Sequence, residues 1–121
     1  MSLLETSSPD NLIAGDSPVA KSRNVTIKSG QVLSRGQVAA IDSVSGNVAA
    51  YDSSISAQNT ARFIVAEDVD ASGGATVGEV YDAGCFNEDA LVFTSTGELT
   101  EALRTQLADY GILTRKSTTN D

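Results

Sequence analysis

The sequence predicts a mainly β fold of short strands and hairpins, with one C-terminal amphipathic α-helix and a flexible N-terminal arm. Three observations predict it. From Asn24 onward, short apolar runs are separated by turn signals such as Ser29-Gly30, Arg35-Gly36 and Ser45-Gly46-Asn47, which is the texture of an all-β chain. A stretch near the C-terminus instead carries leucines at helical spacing. Residues 1–23 hold serines, two prolines (Pro9 and Pro18) and scattered charge, with Leu3, Leu4, Leu12 and Ile13 as their larger apolar groups. Such a composition does not offset the entropy of ordering. The expected organisation is therefore an arm over 1–23, a compact β-rich domain over 24–115 and a frayed tail over 116–121.

Taken in order, Val25 and Ile27 alternate with Thr26 and Lys28, so 24–28 reads as a half-buried strand. Gln37–Asp42 and Val48–Asp52 read as two strands joined through Ser45-Gly46-Asn47, a hairpin. Ser53–Asn59 reads as a polar loop. Thr60–Ala66 contains Phe63-Ile64-Val65-Ala66 without alternation, which predicts a strand covered on both faces. Asp70–Gly74 turns the chain, and Thr76–Asp82 is a strand in which Gly78 marks a bulge or a close backbone approach. Phe86 and Leu91–Phe93 supply further core. Glu98–Tyr110 is the helix, with Leu99, Leu103, Leu107, Tyr110 and Ala102 on one face and Ser95 or Thr96 as its cap. Gly111 fits the position just past its end, and Ile112–Thr114 can add a last short strand.

At 121 residues the chain is one domain. Its core is light: six residues are aromatic (Tyr51, Phe63, Tyr81, Phe86, Phe93, Tyr110), and much of the 40% hydrophobic fraction is alanine, which gains little on burial. A subunit of this kind profits from an oligomer interface that buries more apolar area. The formal charge of −8 supplies no basic footprint for nucleic acid and disfavours an anionic membrane surface. Histidine is absent, which removes the commonest general base and metal ligand. Cys85 is the single cysteine and follows Gly84 in an apolar stretch, so it reads as a buried structural thiol. The start MSLLETSSPD lacks the basic and apolar regions of a secretory signal, and no run approaches a membrane span.

Two acidic constellations invite a chemical reading. Asp68–Glu79 places acids at positions 1, 3 and 12 and a glycine at position 6 of an EF-hand-like calcium loop. Its flanks ARFIVAE and TVGEVYD read as strands, however, and Ala75 stands where a larger apolar residue is usual, so a hairpin turn is the expectation. Between Arg62 and Arg104 lie nine acids and no base (Glu67, Asp68, Asp70, Glu79, Asp82, Glu88, Asp89, Glu98, Glu101). Paired carboxylates serve glycosidases, but acids in and beside turns read as a solvated, solubilising face. No phosphate loop, catalytic triad, zinc ligand set or dinucleotide fingerprint stands out, and no cofactor or catalytic residue is expected.

The order of segments carries more information than any single motif. NVTIKSGQVLSRGQVAAID, GNVAAYD, ARFIVAEDVDASGGA and EVYDAGCFNEDALVF, followed by a helix ending in YGI, resemble the head decoration protein D family of tailed bacteriophages over roughly residues 17–115. The most specific stretch is Ile64–Gly74; Gly84–Glu88 with Ala90-Leu91, and the turns around Gly30 and Gly36, are similar as well. The family usually has a glycine before the Ile64 position, where Phe63 stands here.

The resemblance implies a compact β-rich fold with a helix, often grouped with the β-clip folds. It implies a homotrimer on the outer surface of the virion's capsid, at three-fold and quasi-three-fold positions. There it would bind the major capsid protein and cement neighbouring capsomers after the shell expands. It also implies an arm that orders on the shell and can pair with a capsid-protein strand. The candidate grip is Pro18, Val19, Ala20, Lys21, Ser22 and Arg23, which Pro18 extends and which carries the arm's two bases. Two other readings remain open: a β-clip module binding a sugar, and a calcium module on Asp68, Asp70 and Glu79.

Overall fold

The computed structural model describes residues 12–15, 20–52, 55–93 and 99–115. The strands are β1 (Ile13–Gly15), β2 (Lys21–Ile27), β3 (Val32–Leu33), β4 (Val38–Ile41), β5 (Val48–Ala50), β6 (Ala61–Val65), β7 (Val69–Asp70), β8 (Thr76–Asn87) and β9 (Ile112–Arg115). One helix, α1 (Glu101–Asp109), and two single-turn 3-10 helices, Ser56–Gln58 and Glu88–Ala90, complete the described elements. The fold is mainly β with one C-terminal helix, as the sequence predicts.

Seven strands share one sheet, in the order β9-β8-β2-β5-β4-β6, with β1 also on β8. Because β6 pairs back onto β8 through Ile64–Tyr81 and Val65–Val80, the path β8-β2-β5-β4-β6 closes on itself as a small barrel. The expected hairpin is present, with Ala39 opposite Ala50, Ala40 opposite Ala49 and Ile41 opposite Val48. β8 is longer than its apolar pattern suggests. Its first part pairs with β2 and β6. Its last residues run on through Gly84-Cys85-Phe86, between β1 and the parallel strand β9. The two-stranded β3–β7 ribbon adds Leu33 to the barrel's core.

β6 explains how one thin strand organises two cores. Phe63 and Val65 belong to the barrel core with Ile27, Ala39, Val48 and Val80. Ile64 and Ala61 belong to a second core with Leu12, Val38, Phe86, Leu103, Leu107 and Ile112. Strict alternation would send Ala61 and Ile64 to opposite faces. The register shift opposite Ala39 and Ala40, which leaves Arg62 as the extra residue, puts them on the same face. The expectation of a strand covered on both faces holds: Phe63, Ile64 and Val65 are all fully buried.

Several boundaries differ from the sequence reading. The helix begins at Glu101, and Thr100 caps it by accepting the Leu103 N–H at 3.2 Å; Ser95, Thr96 and Glu98 lie outside the described residues. Leu103 and Leu107 are buried and Leu99 packs beside them, but Ala102 and Tyr110 are exposed, so the buried stripe is narrower than predicted. Gly111 follows with a positive φ of 89°, which a glycine adopts without the penalty of a Cβ. Gly78 is a close approach and not a bulge: a Cβ there would stand 2.8 Å from Ile27 Cγ1. The polar loop over 53–59 contains the 3-10 turn Ser56–Gln58, whose Gln58 is buried. Residues 13–15 and 21–23, placed in the arm by composition, take sheet positions, and the adjoining Leu12 is a core residue.

Candidate docking surface

Of the six candidate grip residues, Pro18 and Val19 lie outside the described residues. Ala20 is half-buried, and Lys21, Ser22 and Arg23 are the exposed first residues of β2, opposite Ala83, Tyr81 and Val80 of β8. Alternation of apolar residues locates only the second half of this strand, because its first half pairs through backbone while its side chains stay in water. Ser22 Oγ donates to Glu79 Oε2 at 2.6 Å, and Arg23 Nε lies 3.7 Å from Asp82 Oδ2. The Arg23 guanidinium also stands 5.2 Å from the centre of the Phe63 ring.

Among the described residues, the opposite edge of β2 is open. Its pairing with β5 is confined to Ile27 opposite Val48, extended by Lys28 N–H to Val48 C=O at 2.8 Å. The backbone of Arg23–Thr26 therefore borders a groove of about 310 Å³. Val25, Ile41, Val48 and Phe63 supply its apolar lining, and Arg23 is its one charged lining residue. Unpaired strand edges are templates for another extended segment.

Below this groove the hairpin base is held by an electrostatic node. Asp42, 2% exposed, accepts hydrogen bonds from Lys28 Nζ at 2.9 Å and from the Gln58 amide at 3.0 Å on one oxygen. Its other oxygen accepts the Val44 and Ser45 N–H groups at 2.9 Å each. The Lys28 ammonium first, then the Ser45 N–H and the Gln58 amide, hold this carboxyl well below the usual carboxylate range against the opposing cost of desolvation. The node joins β2, the hairpin turn and the 3-10 turn.

Arg62 was not singled out by the sequence reading. Its guanidinium stacks 4.6 Å from the Phe63 ring centre and 4.4 Å from that of Tyr110, joining strand to helix end. Its Nη1 is buried without a hydrogen-bond partner among the described residues. The available signal was a lone base inside the apolar run Ala61–Val65.

The acidic residues do not converge. Asp68 accepts the Arg35 N–H at 2.8 Å, Asp70 accepts both the N–H and the hydroxyl of Ser72, and Glu79 takes Ser22. Among the described residues no group of three or more acid or cysteine side chains gathers around a common point. Glu88 departs from the expectation of a solvated acid. It binds Arg104 through two oxygens, at 2.8 and 3.0 Å, and accepts the Thr114 hydroxyl at 3.1 Å, tying α1 and β9 to the end of β8. No helix of the described residues is long and apolar enough to cross a membrane.

Comparison with known proteins points to one family. The profile of the family described as bacteriophage lambda head decoration protein D matches residues 5–112. No curated protein matches the chain significantly.

Proposed function

The chain belongs to the bacteriophage lambda head decoration protein D family, and on that premise we propose that it acts as a trimer on the outside of an expanded phage head. The family is one of structural virion proteins associated with the capsid, and the family match over residues 5–112, nearly the whole chain, carries the reading. In this proposal three copies sit at three-fold and quasi-three-fold positions and hold neighbouring capsomers together against the outward pressure of packaged DNA. A plug that binds only the expanded lattice stabilises that state by mass action. Three grips on one rigid trimer give avidity, so each grip alone can be weak.

The exposed residues Lys21, Ser22 and Arg23, together with Ala20 and the preceding Pro18 and Val19, form the proposed grip on the capsid protein. The exposure of Lys21–Arg23 at the start of β2 supports this reading, since strand addition uses main-chain hydrogen bonds with little demand on side chains. Removing all of residues 1–23 is an ambiguous test, because it deletes the core residue Leu12 and the start of β2. A sharper test sediments expanded and unexpanded heads with the wild type, a chain lacking residues 1–11, and the double variant Lys21→Glu/Arg23→Glu. Selective binding of the wild type to expanded heads is expected, with at least a several-fold loss in the double variant. Wild type that fails to bind expanded heads would reject the decoration reading. Full binding by the double variant would reject the grip alone.

A further inference from the structure

The tip of the β4–β5 hairpin, residues 43–47, contains no charged side chain, and it holds Val44 at 86% exposure. A single exposed valine is ordinary on a protein surface. This one has company. Ile41 and Ile55 are each 42% exposed. The 3-10 turn following Ile55 is tied to the hairpin base by the Ser43 N–H to Ala57 C=O bond at 3.0 Å and by Gln58 to Asp42. Directly beside the tip runs the β2 groove, with Val25, Ile41, Val48 and Phe63 in its lining and, along its rim, the edge of Arg23–Thr26 that faces away from β8. An apolar knob and an apolar groove thus lie side by side on one chain.

We propose that Val44 of one copy seats in the β2 groove of the next, and that this head-to-tail contact closes the trimer, on whose existence the proposal rests. A contact between two different patches of identical chains propagates, and it forms a closed ring when the rotation between copies returns to its start. Adjacent knob and groove suit a tight ring, because both then face a common axis. Charge selects a second copy as the occupant. Each chain carries −8, so two copies repel unless the surfaces that meet are free of acids. From Ser43 to Ala66 the one acid is Asp52, and the groove's charged lining residue is the cation Arg23, which Asp82 approaches at 3.7 Å. Exposed acids crowd a different stretch: Glu67, Asp68 and Asp70, then Asp89 and Glu101. The β4–β5 end is therefore where identical acidic chains approach at least electrostatic cost. The seat also gives the backbone donors and acceptors of Asn24–Thr26 a neighbour.

Sedimentation equilibrium on the full chain tests the contact with three samples: wild type, Val44→Asp on the knob, and Thr26→Glu, an exposed lining residue on the β2 side of the groove. Far-UV circular dichroism checks folding, and Asn24→Glu on the same strand replaces Thr26→Glu should that variant misfold. The wild type is expected near three times 12.5 kDa. Each variant is expected to dissociate at concentrations more than about tenfold higher, as for a residue central to an interface. An equimolar mixture of the two variants should regain a two-copy species, since the intact knob of one meets the intact groove of the other. A folded Val44→Asp trimer as tight as wild type would overturn the contact and leave the trimer standing. Mixing that regains nothing would likewise overturn it, since a head-to-tail contact must complement. A monomeric wild type would remove the trimer and this contact together.

Discussion

Asp42 illustrates how one side chain can serve several elements. A carboxyl whose folded pKa is lowered adds stability at pH above its unfolded value of about 3.9, and loses it as pH falls through the folded value. Lys28, Ser45 and Gln58 lower that of Asp42, so its contribution is complete at neutral pH and declines only below about pH 4. Asp42→Asn keeps the size of the side chain but loses the charge opposite Lys28. Its melting temperature at pH 7 is expected to fall on the order of 10 °C. The gap to wild type should narrow as the pH is lowered past 4, read by thermal circular dichroism. A constant gap from pH 7 to pH 2 would show that ionisation of Asp42 is not the source. The sequence placed this aspartate at the end of a strand, but its partners at positions 28 and 58 come from separate segments.

Among the elements, α1 depends most on its surroundings. A nine-residue helix is marginal in water by itself. It persists here because Leu103 and Leu107 enter the second core and Arg104 is held by Glu88 and Glu101. The Thr100 cap satisfies one of the donors at its start. Thr100→Ala should therefore cost about 1 kcal/mol in urea unfolding, while the corresponding change at Thr96 should be close to neutral. Equal losses from the two would return the helix start to the earlier residues. Leucine spacing announced that a helix would be there. It did not announce where it starts, because several hydroxyl residues precede it and the backbone decides which one turns in.

For the whole molecule, β6 makes the two cores one cooperative unit. Phe63 fills the barrel and Ile64, its neighbour, fills the layer under the helix. Truncation on either face should weaken the same global transition. Phe63→Ala is expected to cost about 3–5 kcal/mol and Ile64→Ala about 2–5 kcal/mol. Tyrosine fluorescence and far-UV circular dichroism should still report coincident unfolding curves for both. Separated curves in either variant would mean that the barrel and the helix layer unfold independently. The same connectivity gives the hairpin tip a firm base, so an apolar knob can stay exposed in the isolated chain without collapsing into the core.

Local patterning was enough to determine the β-rich class, the hairpin, the doubly covered strand and the C-terminal helix, while a resemblance in the order of segments pointed to the family. Each depends on neighbours in the chain: alternation, turn residues, helical spacing or an unbroken run such as Ile64–Gly74. Only the tertiary structure decided the closure of the barrel, the parallel strand β9, the place of Leu12 in the core and the groove beside β2. Those features join residues distant in sequence, such as Ile27 with Val48 and Ile112 with Gly84. A strand that pairs by backbone while its side chains face water leaves no apolar period to read, which is why the sequence places Lys21–Arg23 in the arm while the structure pairs them in a sheet.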